Sequence, residues 1–108
     1  MSDLKDLMAQ AEVIRLKYEE MHAKNGEPAW GVRDYAMGFV GDVGDLQKLI
    51  MAKQNLRQID DVDAKLAHEL ADCLWSILVI ANYYGLDLEK EFKNTMSHIA
   101  DRITGATE

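Results

Sequence analysis

The sequence contains very little cysteine and proline, with one residue of each among its 108 residues. Because Cys73 has no partner within the chain, an internal disulfide is excluded, and its apolar neighbours predict a buried side chain. Nothing in this cysteine usage indicates an oxidising compartment. Pro28 lies in the breaker cluster Asn25-Gly26-Glu27-Pro28, so the remaining segments are free of the residue that most often ends a helix.

Positive charge and long apolar segments are also scarce. The formal net charge is −7 and the isoelectric point is about 4.9, which disfavours nucleic acid or an anionic membrane as the main partner. The longest apolar run, Cys73 to Ala81, is too short to span a bilayer, and Met1 to Asp6 lack the basic-then-apolar order of a signal peptide. We therefore expect a cytoplasmic protein with a single domain over residues 1–108.

What the sequence does contain is helical periodicity in four segments. Apolar residues recur every three or four positions, which is the spacing of one helix face. The rows are Leu4, Leu7, Ala11, Ile14, Tyr18 and Met21; then Phe39, Val43, Leu46 and Ile50; then Leu66, Leu70, Leu74, Ile77, Leu78 and Ala81; then Leu88, Phe92, Met96, Ile99 and Ile103. The second helix is expected from about residue 33 to 54 and the third from 62 to about 84. Asp60 or Asp61 is the expected N-cap of the third helix, Gly85 its stop and Asp87 the N-cap of the fourth.

These segments predict an all-α protein, a four-helix bundle with short connections. The second and third helices are apolar almost all round, and Asp72 is the only charged residue between Leu70 and Leu86. A helix of that kind is normally buried, and a small bundle has too little interior for two of them. We therefore expect a homo-oligomer, either a dimer or a tetramer, with the seam of the first helix as a further contact.

The stretch from Gly38 to Leu46 places Asp42 and Asp45 three residues apart in a run that is otherwise apolar or glycine. Three glycines in a helix interior, at positions 38, 41 and 44, each cost about 0.8–1 kcal/mol relative to alanine, so a glycine loop is the alternative. Their spacing matches neither the P-loop nor the dinucleotide fingerprint. Because the apolar period continues through them, we predict a helix whose glycines allow another helix, or a ligand, to approach closely.

A second acidic pair, Glu69 and Asp72, has the same spacing on the third predicted helix. Two carboxylates about 4 Å apart repel by roughly 4 kcal/mol at an effective dielectric of 20, so four of them require protons or a cation. Oxygen ligands without nearby histidine or cysteine suit Mg²⁺, with Mn²⁺ as an alternative. Such a cation would also make room for a phosphate chain on an acidic protein.

These residues carry a resemblance to a known family. Asp42-Val43-Gly44-Asp45-Leu46 followed by Glu69-Leu70-Ala71-Asp72 resembles the E-x-x-E and E-x-x-D signature of the MazG-like, all-α nucleoside triphosphate pyrophosphohydrolases. The similarity continues into Gly85-Leu86-Asp87-Leu88-Glu89, and Trp30 upstream also fits the family's layout.

The resemblance implies a function and a site. In that family four carboxylates bind Mg²⁺, and water attacks the α-phosphorus of a (deoxy)nucleoside triphosphate to release the monophosphate and pyrophosphate, a nucleotide-pool housekeeping role. By position, the metal ligands and catalytic residues would be Asp42, Asp45, Glu69 and Asp72. Trp30 is a candidate for stacking on the base, although a loop tryptophan more often caps the end of a bundle, and Lys48 is a candidate for holding phosphate. The family forms dimers or dimers of dimers, in agreement with the excess of apolar surface.

The chain also departs from the family's pattern. Aspartate replaces glutamate at Asp42 and Asp45, which shortens both side chains by one methylene. Thr95 and Ile99 stand where many members carry a lysine and an asparagine that hold phosphate and sugar, and Ser76 stands where some have a tyrosine. Phosphate would then be held from elsewhere, by Lys48, Arg102 or a neighbouring subunit.

Two other interpretations remain open. A non-catalytic helical oligomer would keep the acidic residues for metal or nucleotide binding alone. A di-iron carboxylate bundle is suggested by Glu19 and His22, but it requires a second Glu-x-x-His, and neither His68 nor His98 has glutamate three positions earlier. Trp75, inside the apolar run after Asp72, is expected in the core or at an interface.

Overall fold

A computed structural model describes residues 3–105 and contains four α-helices and no strand within that range. They are α1 (Asp3–Lys24), α2 (Val32–Lys53), α3 (Val62–Tyr83) and α4 (Leu88–Thr104). The prediction of an all-helical chain with four helices is confirmed, and the helix bounds agree closely with the apolar periods. None of the helices in this part of the chain is both long enough and apolar enough to cross a membrane.

The centre of the fold is α3, which packs against both α1 and α2. The core cluster combines Ala11 of α1, Tyr35 of α2, and Leu78 and Val79 of α3. Two side chains of α3 also bind the backbone of α1: Trp75 Nε1 donates to the Ala11 carbonyl at 3.2 Å, and Asn82 Nδ2 donates to the Met8 carbonyl at 2.8 Å. The apolar rows of the sequence therefore meet as three packed helices.

The connections follow local rules, with one difference from expectation. Gly85 adopts φ 65° after α3, and the Asp87 side chain accepts from the backbone N–H of Lys90 at 3.2 Å, so the predicted stop and cap are confirmed. Asp61 occupies the N-cap position of α3, but its side chain makes no capping hydrogen bond. Its backbone is left-handed, with φ 54°, whereas a capping side chain normally needs an extended backbone. Lys53 Nζ at the end of α2 lies 2.6 Å from Asp63 Oδ1 in the first turn of α3, an exposed ion pair that contributes little to stability.

The fourth helix lies largely apart from the other three. Every residue from 90 to 105 is exposed, and α4 buries no side chain of its own. Leu88, at its first position, packs against the core cluster. The radius of gyration is 17.2 Å, whereas a compact domain of this length has about 13 Å. One chain therefore forms a three-helix bundle with an extended fourth helix, and does not close all four helices around one core.

Candidate metal centre

Three carboxylates converge where the middle of α2 faces the middle of α3. Asp42, Glu69 and Asp72, hereafter the acidic cluster, each contribute one oxygen, and these oxygens lie within 4.8 Å of one another. All three residues are half-buried. The pairing follows from the sequence: α2 and α3 are consecutive and packed along their length, and Glu69 and Asp72 lie one turn apart on one face of α3.

Asp45 lies outside this cluster. Its side chain is 61% exposed, and the nearest cation is Lys48, whose Nζ is 4.0 Å from Asp45 Oδ1. The structure thus brings together three of the four predicted carboxylates and leaves the fourth at the rim. Asp45 still acts on the cluster electrostatically, because its charge contributes to raising the pKa of Glu69.

Glu69 has the most perturbed carboxylate of the cluster. Burial raises its pKa, and a hydrogen bond with Asp42 and the negative charges of Asp42, Asp45 and Asp72 raise it further. Its Oε1 atom is buried and has no hydrogen-bond partner. A buried oxygen without a donor is costly, and a proton or a cation removes that cost. Three converging carboxylates, one of which carries an unpartnered oxygen, fit a hard divalent cation such as Mg²⁺ or Mn²⁺.

His68, for which the sequence pattern predicts no role, joins the site. Its Nε2 lies 3.1 Å from Asp72 Oδ2, and its side chain is mostly exposed. The contact between His68 and Asp72 was predictable from their spacing, because residues four apart in a helix share a face. The imidazole holds Asp72 at the edge of the cluster that faces solvent.

Two depressions flank the acidic cluster. The first, hereafter the aromatic depression, has a volume of about 510 Å³ and is lined by Ile14, Tyr18, Asp42, His68, Ala71, Asp72 and Trp75. The second, hereafter the lysine depression, has a volume of about 440 Å³ and is lined by Asp45, Lys48, Leu49, Ile59, Asp61, Ala64, Lys65, His68 and Glu69. The first depression is lined by two aromatic residues, Tyr18 and Trp75. The second contains two lysines but also the carboxylates of Asp45, Asp61 and Glu69, so an anionic group would be accepted there only beside a cation that offsets these carboxylates.

The aromatic residue beside the carboxylates is Trp75, accompanied by Tyr18, and not Trp30. The Trp75 ring centroid lies 5.7 Å from that of Tyr18 and 5.7 Å from that of Tyr35. Trp30 packs at the start of α2, with ring centroids 5.4 Å from Tyr35 and 5.8 Å from His22. Trp75 meets the expectation of a core residue through its bond to Ala11, yet one part of its ring also lines the aromatic depression. For Tyr18 the sequence predicts only a place in the apolar seam of α1.

The glycines of α2 do not mediate close packing within the chain. Gly38, Gly41 and Gly44 are helical, so the predicted helix is confirmed against the loop alternative. A Cβ atom at Gly41 or Gly44 would meet nothing within 4 Å, and one at Gly38 would meet only the Trp30 ring at 3.8 Å. The expectation that these residues let another helix of the chain approach closely is therefore wrong, because they lie on a face of α2 that no other helix covers.

Within residues 3–105 the acidic cluster is the one group of three or more carboxylate, histidine or cysteine side chains close enough to share an ion. His22 is buried, its Nδ1 has no hydrogen-bond partner, and its ring neighbours are Tyr18 and Trp30. The residues described thus contain no second histidine–glutamate set of the kind that a di-iron bundle requires. Comparison of the chain with protein families, curated proteins and solved structures found no match.

Proposed function

We propose that this protein is a Mg²⁺-dependent nucleoside triphosphate pyrophosphohydrolase of the MazG-like type. The observation that carries the proposal is the acidic cluster with its unpartnered Glu69 oxygen, set between an aromatic and a lysine-containing depression. The substrate is a nucleoside triphosphate with either ribose or deoxyribose, and the products are the monophosphate and pyrophosphate. A role in cleaning the nucleotide pool follows from that reaction, with neither nucleic acid nor a membrane as partner.

Asp42, Glu69 and Asp72 would hold the metal ion. Mg²⁺, or Mn²⁺ in its place, would neutralise phosphate charge and withdraw electron density from the phosphorus. The fit rests on the donor set, since these are hard oxygen ligands with no cysteine or histidine among them.

The chain's own residues supply the other requirements of the reaction. Asp45, at the exposed rim, orients a water molecule and accepts its proton at a carboxylate oxygen. The water oxygen forms a bond to the α-phosphorus while the bond from that phosphorus to the bridging oxygen breaks, and the electron pair leaves with pyrophosphate. Lys48 and Lys65 meet the phosphates, and Trp75 with Tyr18 stacks against the base. Trp30 does not contact the base in this proposal; it packs on Tyr35, which in turn packs on Trp75.

A second candidate is a non-catalytic oligomer that binds metal or nucleotide at the same cluster. Two observations favour it: Asp45 lies outside the cluster, and the positions of the family's phosphate-binding residues hold Thr95 and Ile99 on the distant α4. Under this alternative, Mg²⁺ stabilises the folded chain and no nucleotide is turned over.

The two candidates are separated by assaying a panel of ribo- and deoxyribonucleoside triphosphates with Mg²⁺ for pyrophosphate release. We expect release from at least one nucleotide and its loss, by a factor of about 10² or more, in Asp72→Asn. Asp63→Asn is the matched control, because it makes the same change on the same helix at an exposed ion pair of little energetic weight. Release that Asp72→Asn leaves unchanged would refute the site. No release with any nucleotide, combined with stabilisation by Mg²⁺, would establish the non-catalytic alternative.

A further inference from the structure

His68 lies where the two depressions beside the acidic cluster meet. Its side chain lines the aromatic depression together with Asp42 and Asp72, and it lines the lysine depression together with Glu69. Among the residues that line these two depressions, His68 is the one that borders both. The sequence explains this position, because His68 directly precedes one carboxylate of the cluster and lies about one helical turn before another. The imidazole, which is 74% exposed, is therefore placed to act on the cluster from the solvent side.

The contact of His68 is with one carboxylate of the cluster and not with the cluster as a whole. His68 Nε2 lies 3.1 Å from Asp72 Oδ2, which is a hydrogen-bond distance. Within residues 3–105, the side chains close enough to share one ion are the three carboxylates, and His68 is not among them. An ionised carboxylate only accepts hydrogen bonds, so Nε2 carries the hydrogen, and a neutral imidazole can make this bond as well as a protonated one. The contact therefore requires no change of protonation.

This hydrogen bond restricts how Asp72 can bind a cation. A carboxylate that binds an ion through both oxygens needs both of them free, whereas Asp72 Oδ2 is engaged by His68. Mg²⁺ requires a nearly regular octahedron with ligands at about 2.0–2.1 Å, and a carboxylate binding through both oxygens spans too small an angle for that geometry. Ca²⁺ takes about six to eight oxygens at about 2.3–2.6 Å, and carboxylates often supply both of theirs to it. An Asp72 limited to one oxygen therefore suits Mg²⁺ better than Ca²⁺.

The acidic cluster offers few further oxygens to a larger ion. One oxygen from each carboxylate gives three ligands, which suffices for an ion that keeps several water molecules, as Mg²⁺ does. Asp45 lies at the rim, where the Lys48 Nζ is 4.0 Å from its Oδ1. The second oxygen of Asp72 is therefore the additional ligand most readily offered to an ion that needs more than six. Removal of His68 would free that oxygen.

We infer that His68 is a positioning residue that makes the candidate metal centre select Mg²⁺ and Mn²⁺ over Ca²⁺, because it holds one oxygen of Asp72 away from the ion. This role rests on the metal binding in the proposed function and is independent of whether a nucleotide is hydrolysed. Glutamine at position 68 would keep the selectivity, since a glutamine and an aspartate four residues apart on a helix also form a hydrogen bond. Alanine would lose it.

The role of His68 is tested on the full chain with metal ions alone. Mn²⁺ binding to the metal-free protein is measured by the loss of the EPR signal of the free ion, and Mg²⁺ or Ca²⁺ is then added to displace it. We expect Mg²⁺ to displace Mn²⁺ from wild type more readily than Ca²⁺ does. His68→Ala should shift the ratio of the two affinities toward Ca²⁺ by about tenfold, a typical effect of losing a partner of a metal ligand. His68→Gln should keep the wild-type ratio, and so should His98→Ala, the matched control at an exposed histidine of α4.

Several results would overturn the role of His68. An affinity ratio that His68→Ala leaves unchanged, even if both affinities fall, would remove the selectivity, and so would a wild-type preference for Ca²⁺. A nitrogen coupling to bound Mn²⁺ in pulsed EPR that disappears in His68→Gln would make His68 a direct ligand instead. A wild-type chain that binds no Mn²⁺ would refute this role together with the metal centre. A shifted ratio without pyrophosphate release from any nucleotide would refute the hydrolase alone and leave the role of His68 standing.

Discussion

At the scale of single residues, Glu69 is a half-buried carboxylate that feels the negative charges of Asp42, Asp45 and Asp72. The folded chain raises its pKa above the ordinary value of 4.5, first through burial and then through Asp42 and the neighbouring negative charges. In the pH range that begins at about 4.5, the folded state therefore retains a proton that the unfolded chain releases. It follows that Glu69 favours folding at low pH, and that this contribution is lost as the pH rises through the raised pKa.

This linkage predicts how the stability of the metal-free protein depends on pH. We expect the free energy of unfolding of wild type, measured with urea in the presence of a chelator, to fall above pH 4.5 relative to that of Glu69→Gln. Glutamine stays neutral, so the difference between the two profiles isolates the ionisation of Glu69. Glu91→Gln, on the exposed face of α4, should reproduce the wild-type profile. Parallel profiles for wild type and Glu69→Gln would contradict the assignment.

Trp75 and Trp30 differ in what they face, which gives a second prediction for single residues. The chain has two tryptophans, so each single replacement leaves one fluorescent reporter. Since Trp75 lines the aromatic depression and Trp30 does not, we expect Mg²⁺ with a nucleoside triphosphate to change the emission of Trp30→Phe and to leave that of Trp75→Phe nearly unchanged. The opposite pattern would restore Trp30 as the base contact. Trp75→Phe also loses the bond to the Ala11 carbonyl, worth about 1 kcal/mol, so its stability is measured alongside.

At the scale of elements, α2 retains helix-destabilising glycines where the structure shows no need for them. Because a Cβ at position 41 or 44 meets nothing within 4 Å, we expect Gly41→Ala and Gly44→Ala each to raise the free energy of unfolding by about 0.8–1 kcal/mol. Gly85→Ala is the contrasting control: its φ of 65° suits glycine, and alanine there should destabilise the chain. Urea denaturation of the three variants measures these changes.

A different result at Gly41 or Gly44 would also be informative about α2. If alanine there weakens self-association or metal binding while the helix remains intact, the glycine face is in use between copies or against a ligand. If alanine only stabilises the chain, that face of α2 is free. Measuring both stability and binding therefore shows whether glycine at these positions only lowers helix stability or also forms part of a functional surface of α2.

At the scale of the whole molecule, a single chain is incomplete in two respects. Its radius of gyration of 17.2 Å and its accessible surface of 8110 Å² both exceed what a compact domain of this size would have. Half-exposed apolar rows on α1 and α3 and the bare stripe of α4 account for the excess. The apolar surface between α1 and α3 shares Ile14, Ala71 and Trp75 with the aromatic depression beside Asp72. Side chains of the exposed rows therefore also border the candidate metal centre.

The sequence by itself determined the helices, their ends and the acidic residues of the site. Apolar periodicity and a few local signals, such as Gly85 and Asp87, act within one or two turns, so they can be read without the fold. The convergence of Asp42, Glu69 and Asp72 was also predictable, because consecutive packed helices bring two i, i+3 acidic pairs face to face. Of the candidate site, the two carboxylates of α3 and the first carboxylate of α2 were predictable from the sequence pattern alone.

Only the tertiary structure decided which side chains complete the site and where α4 lies relative to the other helices. The packing of α2 against α3 leaves Asp45 at the rim. The packing of α1 brings Tyr18 beside Trp75, while Trp30 lies just before the start of α2. The left-handed backbone at Asp61 and the direction of α4 likewise depend on how whole helices are joined. Periodicity gives the face of a helix that is apolar, but it does not specify which partner covers that face. That choice depends on contacts between residues distant in the sequence, which is why the apolar stripe of α4 was predictable and its exposure was not.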